Sequence, residues 1–333
     1  MRVVTSGNHA PSRWQSFKEA LAFLHGHLNL DDGDQILGDR LLRGLAWRAL
    51  QGKRERRQAP PLPVQAVRAL EEHVVANYRT DPASVVQTGF LLFCVFGRLR
   101  FGDAARVSVQ PTLDVVQDAR GSEQGYVEVP MLRHKTDGPT PSLPLPVAAP
   151  IRGVCGHAWA SAWVKARATC GCVANDQVGL VQRRTKSGQW EQRPMRTSEG
   201  TDFLRRTLAG TLNGTLSADQ IESFTAHSLK ATALSWCAKR GVAAGLRRLL
   251  GYHVKPKDKS PATYARDAMA EPLRALESVV KDINSGVFSR CDANREACRR
   301  SRTQRRRYFE RSVEPRRSCQ RQRQRGIVVL ERR

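Results

Sequence analysis

The stretch TAHSLKATALSWCAKRGVAAGLRRLLGYH, residues 225–253, combines a clear helical pattern with several polar side chains of chemical interest. Thr225 is a suitable N-cap for a first helix, which stops before Gly241. A shorter helical pattern covers 242–250 and stops at Gly251. The stretch therefore predicts two consecutive helices, with polar side chains at the beginning of the first helix and after the end of the second.

Helical patterns also dominate the chain upstream of this stretch. Apolar residues at helical spacing predict a helix over 64–78, and a strongly apolar run predicts a helix over 84–98 at the centre of the core. Similar patterns predict helices over 17–24, 157–167 and 201–208.

The middle of the chain has a different period. Residues 126–129 (YVEV) alternate as a β-strand does, residues 137–138 (DG) are a turn signal, and residues 142–145 (SLPL) resume an extended pattern. Prolines between 139 and 150 keep the second strand short or at a sheet edge. We therefore expect a mainly α-helical protein with one small antiparallel β-sheet, and neither a β-sandwich nor a doubly wound fold.

Proline and charge divide the chain into three regions. Residues 1–57 form a short helical N-terminal region, with a second helical pattern at 41–50 and a charged run at its end. The segment APPLP at 59–63 cannot continue a helix and marks a boundary, so that residues 58–283 form the main domain. Residues 284–333 form a tail with 16 Arg, no Lys and 5 acidic residues, a net charge of 16 − 5 = +11.

The composition of the 333-residue chain indicates a polyanionic partner. Lys and Arg number 55 and Asp and Glu 31, which gives a formal net charge of +24. Nucleic acid is the commonest polyanion that so basic a protein binds. A 40% apolar share is enough for at least one buried core. No apolar run approaches the ~18–20 residues of a membrane helix, and the first residues lack the apolar region of a secretory signal. We expect no membrane partner.

The arginine-rich tail has two interpretations. It is poor in apolar residues until 327–330, so we expect it to be disordered. With RRR at 305–307, it could contact phosphate backbones or serve as a nuclear-import signal. The alternative is a solvated tail with no specific role. The tail suits a nuclear protein if the source is eukaryotic, and a protein of the nucleoid or cytoplasm otherwise.

The eight cysteines, without a secretion signal, predict reduced thiols rather than a disulfide framework. Cys155, His157, Cys170 and Cys172 could hold zinc if the intervening segment folded back. Their spacing is not a usual zinc pattern, and the segment between them reads as an amphipathic helix. The favoured interpretation is buried thiols beside a core helix, with no metal.

Four side chains in and after the 225–253 stretch suit chemistry on a phosphodiester. His227 and Lys230 share one face of the first helical turn, whose N-terminus directs free N–H groups toward an anion. His253 follows the glycine stop, and Tyr264 follows a short loop later. Such a reaction needs a nucleophile, donors for the two non-bridging oxygens and an acid for the leaving oxygen.

These residues resemble the motifs of the tyrosine recombinases, the phage-integrase family. HSLK at 227–230, LGYH at 250–253 and Tyr264 are similar to the family's H-x-x-R, L-G-H and tyrosine elements. Upstream, GRLRFGD at 97–103 resembles the family's G-L-R-x-S-E segment. The order of the elements is preserved, and the resemblance covers about residues 60–283.

The resemblance implies a role for each of seven residues. It makes Arg100 the first catalytic arginine, with Arg98 as a rival, and Asp103 its supporting acid. Lys135, at the turn of the predicted hairpin, is the candidate proton donor to the leaving oxygen. The other implied catalytic residues are His227, Lys230, His253 and Tyr264. Taken singly, each could be an ordinary surface or packed residue; their ordered occurrence favours a site.

Two positions depart from the family's pattern. Lys230 stands where the family has its second arginine, and Tyr252 is an extra residue within the Leu-Gly-His motif. Arginine grips a phosphate with two parallel donors, whereas lysine offers a point charge on a flexible stem. Losing one oriented donor at a developing oxyanion typically costs ~10²–10³ in rate. The departures put the activity in doubt more than the fold.

The resemblance implies a site-specific recombinase or integrase of a mobile element, which cuts and rejoins double-stranded DNA through a 3′-phosphotyrosyl link. It implies no cofactor, neither ATP nor metal, and a homo-oligomer on DNA, a tetramer being expected. The main alternative is a catalytically degenerate DNA-binding protein with the same fold. An RNA-binding protein that acts through its tail, and a topoisomerase-like enzyme, are further alternatives.

Overall fold

The protein is described by a computed structural model, which covers residues 12–28, 35, 38–40, 44, 58–117, 119, 121–131, 145–185, 187–212, 214–252 and 269–287. Contacts divide the chain into two units, Met1–Gln58 and Ala59–Arg333. In the first unit, helix α1 spans Ser12–Leu28 and includes the predicted 17–24 helix. The predicted helix at 41–50, apart from residue 44, and the arginine-rich tail beyond residue 287 lie outside the described residues.

The second unit is built mainly from helices. The first four are α2 (Val64–Asn77), α3 (Pro82–Phe96), α4 (Phe101–Ala105) and α5 (Trp159–Thr169). Those that follow are α6 (Thr197–Thr211), α7 (Ala218–Ser223), α8 (Ala226–Lys239), α9 (Ala244–Leu250) and α10 (Ala270–Asn284). The strands are β1 (Thr112–Gln117), β2 (Glu123–Met131), β3 (Leu145–Pro150), β4 (Gln182–Arg184) and β5 (Trp190–Pro194). The predicted class, mainly helical with a small antiparallel sheet, is confirmed.

Helix α3 is the centre of the core, as its sequence predicts. Asp81 caps it by accepting a hydrogen bond from the N–H of Ser84, and Pro82 occupies its first turn, where a proline is tolerated. The helix is apolar on all sides and almost every residue is buried. It packs against α2, α5 and α8. The contact between α3 and α5 is so close that a Cβ at position 89 would overlap the Trp163 ring.

The sheet prediction needs a correction, because there are two sheets. The predicted strand at 126–129 is the middle of β2, which pairs antiparallel with β1 on one side and with β3 on the other. β3 is a short edge strand, as its prolines require. A separate hairpin joins β4 and β5. The sequence did not reveal β1 and β4 because most of their side chains are exposed, which removes the apolar alternation that identifies a strand.

The packing of the last helices places the candidate residues. α8 contacts α3, the short α4, α9 and α10. Thr225 caps α8 as predicted, and Gly241 follows its end with a left-handed backbone (φ 82°). α9 ends at Gly251, also as predicted. Among the described residues no helix is both long and apolar enough to cross a membrane.

Candidate active site

The candidate residues around α4 and at the start of α8 lie close together. Arg100 is the N-cap of α4, and Asp103 lies in the first turn of that helix. The Nη1 atom of Arg100 lies 3.7 Å from the Oδ2 atom of Asp103. α4 packs against α8. The charges of Arg100 and Asp103 both act on Lys230. The fold thus unites two motifs that are far apart in the sequence.

The ammonium group of Lys230 is tethered to the protein backbone by a hydrogen bond. It is half-buried, and its Nζ donates a hydrogen bond to the Gly251 carbonyl oxygen at 3.1 Å. Burial lowers the pKa of Lys230 to about 8, helped by the nearby charges of Arg100 and Arg98. The Asp103 carboxylate acts in the opposite direction. Because an ammonium has three N–H donors, the bond to Gly251 leaves donors for an anion.

The N–H groups at the start of α8 are used within the protein. Thr201 Oγ1 accepts from the N–H of Ala226 at 3.1 Å, and Thr225 Oγ1 accepts from that of His227 at 3.2 Å. The N–H of Ser228 donates to the Thr225 carbonyl at 2.8 Å. The prediction that this helix end offers free N–H groups to an anion is therefore wrong for these three residues. An anion here must be bound by side chains.

His227 is exposed in the first turn of α8, one turn before Lys230. The i,i+3 spacing puts both on the same face, as predicted. The face therefore presents an imidazole at the surface and, below it, a partly desolvated ammonium.

Arg98, the rival to Arg100, is fully buried. Its guanidinium donates to four internal acceptors, the carbonyl oxygens of Phe96, Ala148 and Leu250 and the hydroxyl of Tyr252, at 2.5, 3.0, 3.1 and 2.8 Å. The Arg100 side chain is 38% exposed. Of the two arginines, only Arg100 can reach a ligand from solvent.

Tyr252, the extra residue of the Leu-Gly-His motif, directs its hydroxyl inward. The hydroxyl accepts from Arg98 and donates to the Gly97 carbonyl at 3.0 Å, and the Arg98 guanidinium lies 5.3 Å from the centre of its ring. Burial raises the pKa of the phenol, with Arg98 acting in the opposite direction. Such a phenol is a poor nucleophile and a good structural anchor.

The described part of the site has an excess of positive charge. The charged groups that act on Lys230 there are Arg98, Arg100 and a single carboxylate, that of Asp103. Lys230 and Arg100 lie near a single anion, Asp103, with the Arg98 cation buried behind them, and a phosphodiester would bring a further negative charge to this surface. The electrostatics therefore favour an anionic ligand.

Three predicted site residues lie outside the described residues: Lys135, His253 and Tyr264. In the sequence, Lys135 falls between β2 and β3, and His253 directly follows Tyr252. Their placement at the site stays a prediction.

The four side chains of the alternative zinc site form two separate pairs in the structure. Cys155 and His157 precede α5, whereas Cys170 and Cys172 follow it, and an 11-residue helix spans roughly 16 Å. The thiols of Cys155, Cys170 and Cys172 are half-buried rather than fully buried. The predicted core helix between them is confirmed, and its Trp159 side chain is fully buried. No three His, Cys, Asp or Glu side chains among the described residues are grouped so as to hold a metal ion.

The sequence interpretation missed the role of Arg98 and Tyr252. Both have positive φ, 54° and 57°, which is unusual for residues other than glycine. The signals in the sequence were that Arg98 is a second arginine beside Arg100 and that Tyr252 is an extra residue in the segment that resembles the Leu-Gly-His motif.

Comparison with known proteins gives no assignment. No protein-family model matches the chain, and a search of curated proteins finds no similar sequence.

Proposed function

We propose that the protein is a DNA strand transferase of the tyrosine recombinase type, which cuts and rejoins double-stranded DNA through a 3′-phosphotyrosyl intermediate. The observation that carries the proposal is the meeting of Arg100 and Asp103 with Lys230. These residues belong to two separate motifs of the resemblance, and they form a positively charged site around the start of one helix.

In the proposed reaction, the phenol of Tyr264 releases its proton to solvent and its oxygen attacks the scissile phosphorus. The new P–O bond forms as the bond to the 5′ oxygen breaks, and Lys135 gives a proton to that leaving oxygen. The product is a 3′-phosphotyrosyl link and a free 5′-hydroxyl. In the reverse step a 5′-hydroxyl, from the same or a partner duplex, attacks the link, the tyrosine leaves and the backbone is resealed.

The cations act on the phosphate while its charge redistributes. Arg100 and Lys230 stabilise the non-bridging oxygens of the pentacoordinate transition state, and His227 and His253 complete the set. Asp103 lies beside Arg100 and orients its guanidinium.

Lys230 is suited to replace an arginine here because it is not free to move. Its stem is half-buried and its ammonium is fixed on the Gly251 carbonyl. A fixed ammonium loses less conformational entropy when it binds phosphate than a solvated one does. This arrangement supports retained activity despite the substitution.

A second tyrosine in the region, Tyr252, is not available as a nucleophile, and this supports Tyr264 in that role. Tyr252 is nearest in sequence to His253, but its hydroxyl is engaged by Arg98 and by the Gly97 carbonyl.

A second candidate function is DNA binding without cleavage. The replacement of the second arginine by Lys230 favours it, because the site keeps its positive charge while losing a bidentate donor. This protein would bind DNA in a salt-dependent manner whether or not Tyr264 is present.

The proposal extends to assembly and location. Recombination joins two duplexes, so several protomers, four in the simplest arrangement, would act together on DNA. The protein would work in the nucleus of a eukaryote or in the nucleoid of a prokaryote.

The test is a trap for covalent protein–DNA adducts. The full chain is incubated with supercoiled plasmid and with nicked suicide duplexes that include DNA flanking its own locus, then denatured in SDS. We expect a protease-sensitive adduct that is lost in Tyr264→Phe and kept in Tyr78→Phe, a matched change at the C-cap of α2. DNA binding without any adduct across these substrates would refute the transferase and support the non-catalytic alternative.

A further inference from the structure

The Arg98 guanidinium connects three separate parts of the fold. Its acceptors are the carbonyl of Phe96 at the end of α3, that of Ala148 in β3 and that of Leu250 at the end of α9. All of these acceptors are uncharged. Burial lowers the pKa of Arg98, which reflects the free-energy cost of a buried cation that has no carboxylate bonded to it.

The backbone at Arg98 also has a cost. Its φ of 54° lies in the left-handed region, where glycine is the residue best suited. Glycine would adopt this conformation more easily but would supply none of the four hydrogen bonds. A residue that is unfavourable both in charge and in backbone, yet makes four internal hydrogen bonds, indicates a specific task.

That task is visible at the turn after α9. Arg98 holds the Leu250 carbonyl, and the Tyr252 hydroxyl is bonded both to Arg98 and to the Gly97 carbonyl. The carbonyl between these two anchor points is that of Gly251, the acceptor for the Lys230 ammonium.

We propose that Arg98 and Tyr252 are positioning residues, because together they fix the turn on which the Lys230 ammonium rests. Neither contacts the substrate. They act through the Gly251 carbonyl, and this inference rests on the proposed function only for what Lys230 then does to a phosphate.

The network links both halves of the site. Arg98 is two residues before Arg100, so the same side chain that anchors the turn after α9 belongs to the turn that carries the first candidate arginine. The groups whose charge acts on Lys230 in the described structure are Arg100, Asp103 and Arg98 itself. A change in the turn therefore changes the environment of Lys230 without removing any of those charges.

The experiment measures Lys230 directly, in the full chain and without DNA. Isotopically labelled lysine side chains are titrated by NMR, and the Lys230 signal is identified by its loss in Lys230→Arg. The test variants are Tyr252→Phe, which removes one hydroxyl and keeps the ring, and Arg98→Lys, which keeps the charge. Tyr126→Phe is the matched control, because its hydroxyl is bonded to Glu277 outside this network.

We expect the Lys230 pKa to rise from about 8 toward 10.5 in both test variants, since a released ammonium regains water. The control should leave it unchanged, and circular dichroism should show that each variant is folded. If wild type forms the phosphotyrosyl adduct, Tyr252→Phe should slow single-turnover cleavage at saturating DNA by about 10-fold or more, with little change in DNA affinity.

The outcomes separate this inference from the proposed function. A Lys230 pKa that stays in place in folded Tyr252→Phe and Arg98→Lys overturns the positioning role, whether or not the protein cleaves DNA. A pKa that moves in both variants supports it, even if wild type forms no adduct and the transferase proposal fails. Cleavage that is equally fast in wild type and Tyr252→Phe would also overturn the positioning role.

Discussion

The pH dependence of DNA cleavage should follow the ionisation of Lys230. Only the ammonium form can stabilise the phosphate oxygens, and the fold lowers its pKa to about 8. Cleavage should therefore decline over a pH range in which an arginine keeps its charge. We predict that wild type loses activity between pH 7 and pH 9, and that Lys230→Arg does not lose it in the same way.

The size of the effect follows from the pKa. With a pKa of about 8, roughly nine-tenths of Lys230 is charged at pH 7 and roughly one-tenth at pH 9. If the neutral amine contributes nothing, the rate should fall about tenfold over these two pH units. A solvated lysine with the ordinary pKa of 10.5 would lose only about 3% of its charge over the same range.

The measurement is the initial rate of adduct formation on a suicide duplex at DNA concentrations below saturation. Under those conditions the rate reports kcat/KM, whose pH profile reflects the free enzyme. At saturating DNA the bound phosphate favours the ammonium form, so the decline should move to higher pH. This displacement is a second signature that a lysine contacting phosphate is responsible.

The Lys230→Arg variant decides the origin of the decline. Its kcat/KM profile should lack the wild-type decline around pH 8, whatever its absolute rate, because arginine remains charged. An identical tenfold decline in wild type and variant would refute the assignment and place the titrating group elsewhere. A flat wild-type profile from pH 7 to 9 would refute it too.

Two further predictions concern the core that supports the site. Glu71 is fully buried, its carboxylate accepts from the N–H groups of Val154 and Cys155 at 2.7 and 2.8 Å, and burial raises its pKa from 4.5 to about 7. Between pH 4.5 and pH 7 the folded state thus holds a proton on Glu71 that the unfolded state releases. This contribution to the free energy of unfolding is therefore full below pH 4.5 and is lost as pH rises through 7. At about 1.4 kcal/mol per pKa unit it amounts to about 3 kcal/mol. Urea unfolding at a series of pH values should show this slope in wild type and not in Glu71→Gln, and equal slopes would contradict it. Gly89→Ala should lower the free energy of unfolding by roughly 1–3 kcal/mol, because its Cβ would overlap a Trp163 ring carbon. Thermal unfolding measures this loss of stability, with Gly210→Ala on α6 as the control, because a Cβ there meets open space. Equal melting temperatures for the Gly89→Ala and Gly210→Ala variants would show that α3 and α5 separate without cost.

Helices α4, α7 and α10 were not predicted, whereas the other described helices were, because their signals are local. The apolar run of α3, the capping residue of α8 and the glycine after α9 each lie in the sequence next to the structure they determine. The helix bounds differ from the predicted ones by a few residues, as with α6, where a capped polar first turn precedes the apolar pattern. Strand β1 was not predictable in this way, since an exposed edge strand needs no apolar alternation.

The candidate site was predictable only as a set of residue types. The sequence could bring Arg100 and Lys230 into one hypothesis through the order of motifs, but not through any local physical rule. It could not show that the N–H groups at the start of α8 are bonded to Thr225 and Thr201, because the second of these partners comes from α6. Contacts between distant segments decide which donors remain for a ligand.

Lys230, Arg98 and Tyr252 illustrate the same point. In the sequence, Lys230 and Tyr252 are two unrelated departures from the motifs that the chain resembles, and Arg98 is only a rival to Arg100. In the structure their side chains converge on the turn after α9: Arg98 donates to the Leu250 carbonyl and to the Tyr252 hydroxyl, and Lys230 donates to the Gly251 carbonyl between them. A shorter cation at position 230 needs a fixed acceptor to hold it in place, and the other two residues supply the rigidity of that acceptor. Lys230, Arg98 and Tyr252 are therefore better understood as one hydrogen-bonded unit than as three separate residues.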